Sequence, residues 1–247
     1  MNKRIHAIVG HFGSGKTEFA VNYVLDLRQR IDKVAILDMD IANPYFRSRE
    51  RQALMIEKDI DIHFNTYGFD ISEDLPAITA TVRAPLENKS YTTVVDVGGN
   101  DSGARIINQF RKYFLEEDSG MLAVLNLNRP DTDTVETCID HIRSIEIETE
   151  VPIDGIINNT HLLRETTVED ILYGYEMCCK VSDRLGIPVV YNTCVTDLLD
   201  ELLAEAAAKN IQTNVVDIPA GKDSNEAAGV MNIYPITLQM RPTWLDR

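Results

Sequence analysis

The chain has 247 residues, 44% of them apolar, and carries 24 basic against 39 acidic side chains for a formal net charge of −15. That size suits one large α/β domain with a full core. The acidic surface disfavours nucleic acid and anionic lipid as partners, and no run of about 18 apolar residues exists to span a membrane. Met1-Asn2-Lys3-Arg4 leads straight into a strand-length apolar run, so neither a secretory signal nor a membrane anchor is expected, and a cytoplasmic location is. Cys138, Cys178, Cys179 and Cys194 form no C-x-x-C pair and read as free thiols.

Taken in chain order, Ile5–Val9 reads as a short buried strand. Gly10-His11-Phe12-Gly13-Ser14-Gly15-Lys16-Thr17 follows and fills every fixed position of the phosphate-loop pattern G-x-x-x-x-G-K-[ST]. The glycines let successive backbone N–H groups curl around a phosphate. Lys16 can reach the β- and γ-phosphates, and the Thr17 hydroxyl can take a place on Mg²⁺. From Thr17 to Arg30, Phe19, Ala20, Tyr23, Val24 and Leu27 share one helical face. The loop therefore joins a strand to a helix N-terminus, where the helix dipole favours an anion.

Further strands are expected at Val34–Leu37, Ile60–Phe64, Thr93–Val95, Met121–Leu127, Ile153–Ile157 and Pro188–Tyr191. Helical patterns lie near 44–56, 73–87, 102–117, 131–148, 167–185 and 195–209. Arg47, Arg49 and Arg51 interleave with Glu50 and read as a solvated helix face. Asp131 or Thr132 should cap the helix after Pro130, and Gly186 should end the one before Ile187. Continuous apolar strands alternating with helices predict an α/β fold: a mostly parallel sheet with helices on both faces, as in P-loop NTPases. From about Ile211 the pattern changes, and this C-terminal extension has no assigned role. Pro219–Asn225 reads as a loop, and Ile233–Met240 as a late strand at a sheet edge, because Pro235 lacks a donor.

Two strands end in carboxylates. Asp38 and Asp40 follow Val34–Leu37, two residues apart and so on one side of an extended chain. Ligands of open α/β sheets bind beyond the carboxyl ends of the strands, which points both toward the phosphates. Asp96-Val97-Gly98-Gly99 ends the next core strand. It fits both a Walker B carboxylate on Mg²⁺ and a D-x-x-G turn whose Gly99 N–H meets a γ-phosphate. Asn100, Asp101 and Ser102 then begin a switch segment.

The phosphate loop, the strand ending in D-x-D and the strand ending in D-x-x-G resemble the MinD/ParA family of P-loop ATPases, over roughly residues 3 to 210. That family is related to nitrogenase iron protein, nickel-insertion ATPases, and CobB- and dethiobiotin-synthetase-like enzymes. The resemblance implies a seven- or eight-stranded, mostly parallel sheet binding ATP and Mg²⁺. It implies Asp40 as the water-activating aspartate, Asp38 beside the metal, and residues 41–47 as switch I. An Asn at the Asn158-Asn159 position often contacts adenine in the family, and an amide can pair with both donor and acceptor on the base edge. Asn192 and Thr193 are expected to close the base pocket. The guanine motif N-K-x-D is missing at Asn158-Asn159-Thr160-His161, which favours ATP over GTP.

One position departs from the family. Many members carry a lysine directly after the first loop glycine that reaches the nucleotide of a partner subunit. Here that residue is His11. Arg47 and Arg105 are candidates for the missing cation. The five histidines show no metal-binding spacing, and Trp244 in the tail reads as a packing residue.

The sequence thus predicts a Mg²⁺-dependent ATPase, slow or partner-stimulated. It would act as a nucleotide-gated switch with ATP and ADP as ligands, through homodimerisation or an unknown client protein. Two alternatives remain open. One is an ATP-dependent ligase or kinase of the dethiobiotin-synthetase/CobB type, with an acceptor pocket lined from 41–70 or 100–110. The other is an ATPase assisting metallocofactor insertion, with Cys178, Cys179 or Cys194 at a dimer seam.

Overall fold

The computed structural model describes residues 3–39, 49–64, 75–99, 107–216 and 229–239. Within them nine strands form one all-parallel sheet. The strands are β1 (Ile5–Gly10), β2 (Val34–Asp38), β3 (Asp61–Phe64), β4 (Thr92–Asp96), β5 (Ser119–Leu125), β6 (Gly155–Asn158), β7 (Val189–Val195), β8 (Gln212–Val215) and β9 (Val230–Ile236). Their order is β3-β2-β4-β1-β5-β6-β7-β9-β8. The described helices are α1 (Lys16–Arg28), α2 (Arg49–Glu57), α3 (Leu75–Glu87), α4 (Arg111–Phe114), α5 (Val135–Thr149), α6 (Val168–Leu185) and α7 (Leu199–Ala208). This is an α/β architecture.

All six residues of β1 are buried, because both faces of the sheet are covered. Ile5, Ala7 and Val9 face one cluster, with Val82 and Leu86 of α3 and Cys138 and Ile142 of α5. Ile8 faces the other, with Phe19, Tyr23 and Val24 of α1. This period-two split is why the strand reads as uninterrupted apolar sequence. Strands join β1 through β4 on one flank and through β5 on the other. Chain order reverses there, which opens a crevice at the carboxyl ends of these strands.

Several boundaries differ from the sequence reading for identifiable reasons. β5 stops at Leu125 because the Asn126 side chain turns the chain, accepting from Asn128 N at 3.0 Å. β6 starts only at Gly155: Asp154 N donates to Met121 O at 2.8 Å, but Met121 N donates to the Asp154 carboxylate rather than to a main-chain carbonyl. β7 runs on to Val195 because β9 pairs with Asn192–Val195. The helix expected over 131–148 begins at Val135 after a 3₁₀ turn (Pro130–Thr132), capped by Thr134 rather than Asp131 or Thr132. Gly186 does end α6, in the left-handed conformation at φ 71°. Near 102–117 the described helical residues are 107–109 and Arg111–Phe114, separated by a turn at Phe110.

The tail is part of the sheet. β9 lies between β7 and β8, not at an edge. β8 pairs with Val230–Ile233 and so leaves Pro235 beyond its span, where a missing N–H costs nothing on that flank. Tyr234 inserts beneath α1 among Phe19, Tyr23 and Tyr191, and its hydroxyl donates to Asp26 Oδ2 at 2.5 Å.

Two measurements probe this core. Tyr234→Ala should lower unfolding free energy by about 3–5 kcal/mol in urea titrations, the cost of deleting a large buried ring. The second concerns His6, packed edge-on to Tyr23 with its Nδ1 3.2 Å from the hydroxyl. Burial holds its imidazole down at about 4, against 6.5 when free. Between those values only the unfolded chain takes the proton, so stability is complete above pH 6.5 and falls as the pH drops toward 4. The loss should reach on the order of 3 kcal/mol, and His6→Gln should flatten the slope between pH 6.5 and 4.5.

Candidate nucleotide-binding site

The loop Gly10–Gly15 leaves the end of β1 and enters α1 at Lys16. Gly15 is the N-cap of α1, left-handed at φ 84°, and supplies no side-chain cap. By contrast, α5 and α6 each start with a capping box, Thr134 with Thr137 and Thr167 with Asp170. Gly15 thus brings no side chain of its own to the N-terminus of α1 beside the loop, where the helix dipole favours an anion. Ser14 Oγ is also buried without a hydrogen-bond partner among the described residues. These features fit a bound phosphate.

Two contacts fix the loop from behind. Asn159 Nδ2 donates to Ser14 O at 2.7 Å, and Thr193 Oγ1 donates to Asn159 Oδ1. A Cβ on Gly15 would fall 2.2 Å from Asn159 Nδ2, so the amide occupies space that only glycine leaves open. From the other side Gly99 lies flat on the loop. A Cβ there would sit 2.7 Å from Phe12 N and 2.8 Å from Gly10 O.

The carboxylates converge as the parallel sheet requires. β2 and β4 pair in a register that sets Asp38 beside Asp96. Thr17 Oγ1 donates to Asp96 Oδ2 at 2.7 Å. Lys16, Asp38 and Asp96 are all at least 95% buried. A hydroxyl and two carboxylates beside a phosphate loop form a hard-oxygen set suited to Mg²⁺.

A cavity of about 270 Å³ runs from Gly15, Lys16 and Thr17 to Leu163, Val195 and Leu238. Asn159 and Thr193 line it, but Asn158 and Asn192 do not. Asn158 Nδ2 donates to Asn192 Oδ1 and Ile171 O, and its Oδ1 accepts from Thr160. Asn192 Nδ2 donates to Asn232 O. Both amides are fully buried and cross-link β6, β7 and β9, so the structure sets them in the sheet rather than at the base.

His11 turns away from this cavity. Its Nδ1 lies 3.4 Å from Asp131 Oδ2, and its ring stacks edge-on against His141 with centroids 5.5 Å apart. Burial first, and His11 second, hold His141 at about 4. A second cavity of about 600 Å³ lies on this side, bounded by His11, Gly99, Asp131, Asp140, His141 and Glu148 among others. Its described walls come from 9–11, 97–99 and 130–149, while 41–48, 65–70 and 100–106 of the segments expected to hold an acceptor lie outside the described residues.

Asp40, Arg47, Arg105, Trp244, switch I at 41–47, Asn100–Ser102 and Pro219–Asn225 lie outside the described residues. Cys178 and Cys194 are buried, and burial raises both thiols, Cys194 to about 12. No cluster of three metal-ligating side chains occurs among the described residues, nor does any described helix have the length and apolarity to cross a membrane.

The sequence reading missed Arg129, whose Nε donates to Gly13 O at 3.1 Å. The one available signal was a lone cation just after a core strand, at the level of the loop. It also missed Leu163, Ile236 and Leu238 as pocket residues, because single apolar residues carry no motif for a cavity wall.

No protein-family model matches the chain, and no curated protein does. Among solved structures it is similar to chloroplast FtsY from Physcomitrella patens, with 18% identity and a TM-score of 0.50 over 77% of this chain and 58% of that one. It is also similar to FtsY from Thermotoga maritima, with 16% identity and a TM-score of 0.48 over 76% and 60%. A third is FlhF complexed with GTP and Mg²⁺, with 14% identity and a TM-score of 0.48 over 76% and 64%. The chain therefore spans less than two thirds of the length of these proteins. At such identities the likeness is one of fold: the chain has a P-loop NTPase fold, and the comparison does not single out the MinD/ParA branch.

Gly15→Ala should combine left-handed strain with the Asn159 clash. Titration with a fluorescent nucleotide should show binding weakened at least about tenfold, with thermal stability lowered as well.

Proposed function

We propose that the chain is a Mg²⁺-dependent P-loop ATPase of MinD/ParA type, a single nucleotide-binding domain that works in the cytoplasm as a nucleotide-gated switch. The observation that carries this reading is the seat of Gly99 on the backbone of Gly10–Phe12. A D-x-x-G glycine in contact with the phosphate loop is placed to feel a γ-phosphate and to relax when it leaves. In this reading the loop and Lys16 bind the phosphates, while Thr17 and Asp96 hold Mg²⁺ with Asp38 beside them. The metal, when bound, supplies charge neutralisation at the β- and γ-phosphates. Asp40 is proposed to orient the attacking water.

ATP over GTP is supported by the pocket as well as by the missing N-K-x-D. Guanine presents ring and exocyclic N–H donors that a carboxylate reads well. Glu18 is the acidic residue among the described walls, and it accepts from Gln239 N instead. With His11 turned to Asp131, Arg129 at Gly13 is the described cation best placed beside the loop, alongside the proposed Arg47 and Arg105. Turnover is accordingly expected to be slow until a partner, a second copy or a client protein, supplies more charge.

A second reading, an ATP-dependent ligase or kinase of the dethiobiotin-synthetase/CobB type, is supported by the 600 Å³ cavity across the loop from the nucleotide pocket. Of the cysteines that metallocofactor insertion would use at a dimer seam, Cys178 and Cys194 are buried within the chain and Cys179 is half-buried.

Light scattering with ATP or GTP and Mg²⁺ tests the switch. ATP should convert monomer to dimer, Asp40→Ala should trap that dimer, and Lys16→Ala should abolish it. An unchanged mass with ATP bound would remove the switch and favour the acceptor reading, under which phosphate is released only with a carboxylate or hydroxyl substrate present.

A further inference from the structure

Residues 236–239 contribute two side chains to the wall of the nucleotide pocket. Ile236 ends β9, and both it and Leu238 line the cavity, as does Leu163. Leu238 remains 44% exposed and Phe12, also lining the cavity, 67% exposed. Apolar side chains left open at the rim of a polar-floored pocket suit a flat, hydrophobic ring better than a phosphate.

The segment is held by α1. Thr237 N donates to Asn22 Oδ1 at 2.9 Å, and Asn22 Nδ2 donates to Thr237 O at 3.0 Å. Gln239 N donates to Glu18 Oε1 at 2.6 Å, and Asn22 Nδ2 reaches the same carboxylate oxygen at 3.3 Å. Thr196 Oγ1 adds a bond to Ile236 O at 3.2 Å. Glu18 and Asn22 stand one turn apart on one helical face, directly after Lys16 and Thr17. Two consecutive main-chain groups and a third two residues on are thus gripped by side chains of the helix that begins at the phosphates. An asparagine that pairs with both backbone groups of one residue imposes an extended path on it, as a neighbouring strand would. Asn22 is 93% buried, so water competes poorly for these bonds.

We propose that residues 236–239 form a strap that walls the nucleobase, and that Glu18 and Asn22 are positioning residues that latch it. This rests on the nucleotide-binding reading above. The latch ties the base wall to the phosphate-binding helix, so the two ends of the nucleotide are gripped by one rigid element. Its effect should therefore appear for ligands that carry a base and vanish for those that do not.

Calorimetric titration of the full chain with ATP and with inorganic tripolyphosphate separates these. Asn22→Ala and Glu18→Ala should each raise the ATP Kd about tenfold and leave the tripolyphosphate Kd unchanged. Glu18→Gln, which keeps an amide oxygen for Gln239 N, should stay within about threefold of the parent for ATP. Retained tripolyphosphate binding also reports that the variants are folded. An unchanged ATP Kd in both alanine variants, or an equal loss for both ligands, would overturn the latch. If the parent chain binds neither ligand, the nucleotide-binding reading itself fails.

Discussion

A helix that begins without a cap organises this molecule. Gly15 at the N-cap of α1 has no side chain to cap it, and the residues around it fix the loop that leads into that turn. Asn159 holds Ser14 from behind, Gly99 lies across Gly10–Phe12, and Thr17 is tethered to Asp96. Asn159 follows the end of β6, and Gly99 and Asp96 lie at the end of β4. An exposed turn of this kind is costly alone, since its donors compete for water and the backbone is fixed at left-handed angles. The parallel sheet makes it affordable by bringing several strand termini to one edge.

The same sheet explains the distribution of buried polar groups. Asn158 and Asn192 form a pair of amides across β6 and β7 that ends on the main-chain carbonyl of Asn232 in β9, with Thr160 closing the other end. Satisfied amides of this kind fix strand order more tightly than aliphatic packing would, because a slipped register leaves a donor without an acceptor. On the other side of the sheet, the rings of Phe19, Tyr23, Tyr191 and Tyr234 seat α1 over β1, β7 and β9. Polar specification above and aromatic mass below act on the same strands.

Much of this was legible in the sequence where the signal is local. The phosphate loop is a contiguous string, and its neighbours show plain two- and four-residue periodicities. Asp38 and Asp96 were legible because each ends an apolar run, though their side-by-side register is a property of the sheet. Non-local arrangement was hidden. Asn158-Asn159 offered two adjacent amides, and only the pairing of β6 with β7 and β9 decides that Asn158 joins the sheet network while Asn159 grips the loop. The polar run Asn192-Thr193 masked the second half of β7, whose partner arrives some forty residues later. Pro235 argued for an edge strand by a sound rule, yet β8 is too short to reach it.

The position of β9 carries a consequence for how the chain is made. β8 precedes β9 in sequence, but β9 is the strand that touches β7. During synthesis β8 leaves the ribosome while the edge of β7 is still open, so the wrong neighbour arrives first. The composition of β8 limits the damage: Gln212-Thr213-Asn214-Val215 is short, polar and largely exposed, a poor competitor for an apolar edge. β9 offers Met231, Ile233 and Tyr234, all fully buried, and an aromatic slot that β8 cannot fill. Correct strand order is thereby written into the difference in greasiness between two neighbouring segments, and nascent chains halted between them would present an unfinished sheet to the cell's quality control.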